Sequence, residues 1–143
     1  MNNMNQLYIL AVFFLFLSCD KGESPIETDC DKVSEVNDRR FQNAPRDEFD
    51  FVSAEIIDDC LAINVRYGGG CGGAEFELIG STTFGLSLPP QRSVVISFDD
   101  NDDCEAIVDT TISFDLRPLR IENTHEVGII LDGISRTPFS YIY

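Results

Sequence analysis

From residue 49 onward, apolar residues recur at every second position in short runs, and no window of a dozen residues repeats at a helical 3.6 spacing. The clearest run is 60–67, where Leu61, Ile63, Val65 and Tyr67 point one way and Ala62, Asn64 and Arg66 the other. That alternation predicts a strand with one face in a core and one in water. In 74–79, Phe76 and Leu78 alternate with Glu75 and Glu77, and the intervening 68–73 reads GGGCGG, so the two runs are expected to form a hairpin. Further strands are predicted at 49–57, 92–98 (Val94, Ile96 and Phe98 inward), 106–116 (Val108, Ile112, Phe114 and Leu116 inward), 127–131 and 139–143. Pro89-Pro90, Asp132-Gly133 and the acidic run from Asp99 punctuate them as turns. Seven short strands in about 100 residues predict an all-β chain folded as an antiparallel β-sandwich, with a small β-barrel as the alternative.

The N-terminal part has a different texture. Leu7 to Leu17 is an unbroken run of eleven apolar residues, followed by Ser18, Cys19 and the charged stretch Asp20-Lys21-Gly22-Glu23. A helix needs about 20 residues to cross the hydrocarbon core, whereas an apolar run of about 7–15 residues ending in a small residue is the form of a secretory signal. Residues 20–45 then mix charge, Pro, Asn and Ser with few apolar side chains and read as a tether. The expected organisation is a signal over 1–18, a lipidated cysteine and flexible tether over 19–45, and one folded domain over 46–143.

Phe16-Leu17-Ser18-Cys19 resembles the lipobox of bacterial lipoproteins, in which a small residue precedes the cysteine that receives the lipid. The resemblance covers the first 23 residues. It implies cleavage before Cys19, a diacylglycerol on the Cys19 thiol, and acyl chains of the palmitate type that hold the protein at a lipid bilayer. Position 16 is Phe where such boxes more often carry Leu, and Met1 to Tyr8 lacks Lys and Arg. An Asp directly after the cysteine resembles an inner-membrane retention signal of one group of Gram-negative bacteria. The stretch Asp20 to Glu23 resembles instead the surface-export signals of Bacteroidota-type lipoproteins. The favoured address is the outer membrane, facing the periplasm or the cell surface. The glycine-cysteine turn followed by Phe76 and Leu78 is similar to segments of small uncharacterised envelope lipoproteins, a likeness that brings no activity with it.

Charge and cysteines narrow the partners and the redox state. The chain carries 25 acidic against 10 basic residues, a formal charge of -15, none of it within residues 1–18. Such a chain repels phosphate backbones, so nucleic acid is not an expected partner. A cation, a basic protein or a neutral glycan suits it better. With Cys19 assigned to lipid, Cys30, Cys60, Cys71 and Cys104 remain, an even number suited to disulfides in an oxidising compartment. Zinc would want a close ligand pair, which these spacings do not contain. If the strands alternate in direction along the chain, loops 68–73 and 99–104 are two connections apart and emerge at the same end. This predicts a Cys71–Cys104 bridge and, since Cys60 begins its strand at the other end, where the tether carrying Cys30 can reach it, Cys30–Cys60.

Several constellations are candidates for chemistry. The glycines around Cys71 permit positive φ and close backbone approach, but no helix and no Lys-Ser or Lys-Thr pair follows, as a phosphate loop would require. A nucleophilic Cys71 would need a base, and the one histidine, His125, lies in another predicted loop. Asp99, Asn101 and Asp103 place oxygen ligands at alternate positions, as a calcium loop does, with Asp58 or Asp59 as assisting ligands. Against this, Cys104 and Thr110 stand where the loop's obligatory Gly and bidentate Glu would be. Glu75 and Glu77 share one face of a strand about 7 Å apart, a spacing an inverting glycosidase also uses. Phe139, Tyr141 and Tyr143 form an i, i+2 aromatic stripe that serves either as packing or as a sugar platform.

The reading that follows is a non-catalytic envelope lipoprotein that binds a ligand or a protein or glycan partner, with loops 68–73 and 99–104 as the contact end. No cofactor is expected, calcium being the one candidate. An inhibitor of a basic hydrolase is the alternative, and a glycan-processing enzyme the second.

Overall fold

The computed structural model describes residues 29–143, and the signal, Cys19 and the first part of the expected tether lie outside them. Nine strands, one short helix and a 3-10 turn form two sheets packed face to face. One sheet has the order β1(Lys32–Val33), β7(Ala106–Asp115), β4(Cys60–Gly69), β3(Asp50–Ile57). The other has the order β2(Glu35–Val36), β5(Ala74–Gly80), β6(Gln91–Asp100), β8(Glu126–Leu131), β9(Phe139–Ile142). The chain is all-β and a sandwich rather than a closed barrel.

The alternation in the sequence produces the core directly. Leu61, Ile63 and Val65 of β4 are buried beneath Phe76 and Leu78 of β5, Val94, Ile96 and Phe98 of β6, and Val127, Ile129 and Leu131 of β8. Toward the Asp50 end of β3 the filling is aromatic. Phe76 stacks on Phe98 with centroids 4.3 Å apart, and Phe49 and Tyr67 meet that pair at 5.1 to 5.8 Å, the offset and edge contacts that ring quadrupoles favour. Phe114 and Leu116 are fully buried, as expected, while Val108 and Ile112 are half-buried. In β6 the alternation fails, because Val95 and Ser97 are buried on the outer face as well. The short helix α1(Asp38–Asn43) and the segment after it cover that face: Arg40 on the helix pairs with Glu77, which lies opposite Ser97, and the Ser97 hydroxyl donates to the Pro45 carbonyl at 3.2 Å.

Three expectations are corrected. The runs 60–67 and 74–79 do not form a hairpin; β4 and β5 belong to different sheets and residues 70–73 cross between them. Alternation identifies which side chains face the core, not from which side they face it, and both arrangements present the same apolar rows. Secondly, the sheets are mixed rather than antiparallel, with β1–β7, β2–β5 and β6–β8 parallel. Thirdly, residues 29–45 belong to the fold where they are described. There β1 and β2 extend one edge of each sheet, and Cys30 is bridged to Cys60 with Cα atoms 5.7 Å apart. Ser34, buried between the two strands, donates to the Asp115 carbonyl at 2.6 Å, and Asp31 accepts from the backbone N–H and hydroxyl of Ser113 at 2.8 and 2.6 Å. Strands of two residues carry no alternation to read, so their composition resembles that of a tether.

The strand directions sort the loops into two poles. At one lie the turn at 58–59, loop 81–90, residues 116–125, the C-terminal Tyr143 and the incoming Asp29 and Cys30. At the other lie residues 70–73 and 101–105; β8 ends beside Val94, partway along β6, so residues 132–138 turn back before reaching it.

Candidate functional site

The second pole contains the loops that the sequence singles out. Because two sheet crossings return the chain to the same end, residues 70–73 and 101–105 lie side by side and Cys71 is bonded to Cys104, with Cα atoms 5.8 Å apart, within the reach of such a bond. Gly70 and Gly72 take positive φ (111° and 92°), which turns three successive N–H groups to the same side. All three donate to one oxygen: Gly70, Cys71 and Gly72 reach Asp102 Oδ2 at 2.9, 2.8 and 3.0 Å. The other oxygen, Oδ1, accepts from the Cys104 N–H at 3.0 Å. At Gly73 the two loops touch, since a Cβ there would lie 2.1 Å from the Asn101 carbonyl oxygen.

Consecutive backbone N–H groups of this kind form a concave anion site, and here the protein's own carboxylate fills it. The Cys104 N–H, and then those of Cys71, Gly72 and Gly70, hold the Asp102 carboxyl below its ordinary pKa. The consequence for chemistry is specific. Cys71 is no nucleophile, because its sulfur is in the disulfide, and the glycine loop accepts an external anion only by displacing Asp102.

Metal chemistry fares no better on this geometry. Among the described residues, Cys71, Asp102 and Cys104 are the group of three acidic, Cys or His side chains whose ligand atoms converge, but the two sulfurs are bonded to each other and the carboxylate is held by N–H donors. Asp99 and Asp103 belong to no such group, and Asn101 is exposed, its carbonyl packed over Gly73. Asp58 and Asp59 cannot assist them, since they lie at the opposite pole. There the Tyr141 hydroxyl donates to Asp59 Oδ1 at 2.5 Å and Arg120 Nη2 reaches the same atom at 2.6 Å. Those partners, the Tyr141 hydroxyl first, lower the Asp59 pKa, while burial raises that of Tyr141 to about 12.

The structure also separates the remaining candidates. Glu75 is exposed, whereas Glu77 is held with Glu35 by the Arg40 guanidinium. Both carboxylates border an open groove of about 360 Å³ whose aromatic members, Phe76 and Phe114, are buried, so no sugar platform faces them. The aromatic stripe is packing: Tyr141 is fully buried, and the Tyr143 hydroxyl is bonded to Thr124 and to the Ile121 backbone. His125 is exposed in the loop before β8, and its carbonyl accepts from the Tyr143 N–H at 3.0 Å. The residue that alternation missed is Asp102, passed over in favour of its odd-numbered neighbours. A glycine turn full of unsatisfied N–H groups requires an acceptor, and Asp102 lies two residues before the bridged Cys104, where an aspartate bonds the backbone two residues on.

No family model and no curated protein matches this chain. Among solved structures, the crystal structure at 2.00 Å resolution of a protein of unknown function, DUF1344, from Bacteroides vulgatus ATCC 8482 has a similar fold, with a TM-score of 0.52 at 13% identity. The likeness covers 78% of this chain but 55% of that one, and at this identity it concerns the fold alone.

Proposed function

We propose that this chain is a non-catalytic lipoprotein of the outer membrane, anchored through Cys19, that binds a basic protein partner through the pole formed by residues 68–73 and 99–105. The observation that carries the reading is a rigid pole of one charge. Loops locked together by the Cys71–Cys104 bridge and by the four N–H donors to Asp102 present Asp100, Asp103 and Glu105 to solvent, and none of these three is in an ion pair. Pre-ordered loops lose little entropy on binding, and unpaired charge of one sign steers an oppositely charged partner and sets its orientation. Inhibition of a basic hydrolase is the form of this reading that the acidity suits best.

The test is binding of the full mature chain to immobilised basic hydrolases at rising salt. Replacing Asp100, Asp103 and Glu105 together by Asn, Asn and Gln is expected to weaken capture by about tenfold or more at low salt and to flatten its salt dependence. Capture that ignores both salt and the triple replacement would overturn the reading. Intact mass of the mature protein decides separately whether Cys19 carries lipid.

A further inference from the structure

The opposite pole has a feature of the contrary kind. From Leu78 to Gln91 there are fourteen consecutive residues without a charge, in a chain of which 24% is charged. The middle of that stretch is a projecting turn. Gly85 and Gln91 exchange backbone hydrogen bonds at 2.7 and 3.2 Å, Ser87 Oγ donates to the Pro89 carbonyl at 2.8 Å, and Pro89 and Pro90 restrict the backbone further. Its base is pinned as well. Asp38 accepts from the Thr82 N–H at 2.9 Å and from Ser81 Oγ at 3.0 Å, and the buried Arg92 bonds the Ser81 and Leu119 carbonyls while its guanidinium lies 5.6 Å from the Phe84 ring.

On this fixed base Leu86 is 93% exposed and Leu88 98% exposed, with Phe84 at 42% beside them. A single exposed leucine needs no explanation, but leucines at i and i+2 on a rigid, uncharged tip form an apolar patch that packing does not account for. Position decides what covers it. The chain enters the fold at this same pole, where Asp29 and Cys30 lie beside the turn at 58–59, and Cys19 is ten residues earlier, a span of at most about 35 Å.

We propose that loop 84–90 is a second, reversible bilayer contact, with Phe84, Leu86 and Leu88 entering the boundary between headgroups and acyl chains. The inference rests on the lipoprotein reading, because the lipid on Cys19 is what brings this pole to the membrane. The acyl chains on Cys19 supply the anchor, and the apolar tip adds a contact that fixes how the domain stands on the surface. The result is an upright domain with its acidic pole facing away from the bilayer. The uncharged tip suits zwitterionic lipid, whereas the acidic remainder of the chain is repelled by anionic headgroups.

The chain has no tryptophan, so one introduced indole is a clean reporter. The full mature lipoprotein would be prepared as L88W and as I107W, Ile107 being 78% exposed at the far pole, and reconstituted into phosphatidylcholine vesicles. The L88W indole is expected to shift to the blue and to be quenched by brominated acyl chains, the I107W indole to do neither. In the unlipidated C19S chain, Leu86→Asp and Leu88→Asp are each expected to lower partitioning into the same vesicles by on the order of tenfold. Equal behaviour of the two reporters, or aspartate variants that partition unchanged, would overturn the proposal. So would a blue shift given by soluble envelope proteins without lipid, which would make the tip a protein contact. The mass of Cys19 reports on the anchor by itself: a lipidated Cys19 with a water-exposed L88W indole sinks the loop contact and leaves the lipoprotein reading standing. An unmodified Cys19 with an inserted indole sinks the anchor and sustains the loop's bilayer contact.

Discussion

Replacing Cys71 and Cys104 together by serine is the perturbation that examines the acidic pole most directly. Both are changed so that no unpaired thiol remains. The bridge closes a segment of 33 residues, and for a loop of that length the chain-entropy relation gives about 3.7 kcal/mol at 25 °C, removed from the denatured state when the bond is present. Native-state terms alter this little. The flanking β4 and β7 stay paired over ten registered positions, and Asp102 still spans the two loops. A loss of about 3–4 kcal/mol is therefore expected, a large share of the stability of any domain this size, with a fall in Tm of about 15–20 °C. Urea denaturation followed by far-UV circular dichroism measures it, and the m-value should rise, because the uncrosslinked denatured chain exposes more surface. A loss below about 1 kcal/mol with unchanged m would refute the reasoning, since it would mean that the bond does not restrain the denatured chain.

The remaining predictions address charge, burial and close approach. Hydrogen bonds depress the carboxyls of Asp102, Asp31 and Asp59; a depressed folded-state pKa contributes stability that is present above the ordinary aspartate value of about 3.9 and is lost as pH falls through the folded value. The Tm should accordingly drop below about pH 4, and Asp102→Asn should make that acid limb shallower in a thermal series across pH 2–6. Tyr141, with its pKa raised to about 12 by burial, contributes the opposite sign: stability is complete below the ordinary phenol value of about 10 and is lost as pH rises toward 12. One late phenol in an ultraviolet titration, absent in Tyr141→Phe, checks this. Phe98→Ala removes a fully buried ring that stacks on Phe76 and meets Phe49 and Tyr67, and should cost about 3–5 kcal/mol in denaturant unfolding. Gly73→Ala places a methyl against the Asn101 carbonyl at 2.1 Å, so the two loops must part; a cost of about 1–3 kcal/mol and slower Cys71–Cys104 closure, followed by thiol trapping during refolding, are expected.

Much of the architecture is legible along the chain, for reasons that can be stated residue by residue. The alternation of Leu61, Ile63 and Val65 with Ala62 and Asn64 follows from the two-residue period of a strand, so the all-β class and the inward faces need no tertiary knowledge. The Cys71–Cys104 pairing is legible too, because β5 and β6 each reverse the chain and two reversals return it to the same end, whichever sheet each strand joins. Cys30–Cys60 follows from Cys60 beginning its strand at the end the preceding segment can reach. Sheet membership is a different matter. Whether β5 pairs with β4 or faces it across the core depends on which neighbours compete for the β4 edges, and β3 and β7 take both. The parallel β6–β8 pair and the two-residue edge strands β1 and β2 are likewise decided by contacts between residues far apart in sequence. The same distinction governs the candidate sites. Local composition marks the glycines and the acidic run, but only the fold aims three glycine-loop N–H groups at Asp102 rather than leaving its carboxylate for a cation. Only the fold, again, leaves Leu86 and Leu88 outside a core that their apolar character would let them join, because a turn closed at Gly85 and Gln91 carries them away from it.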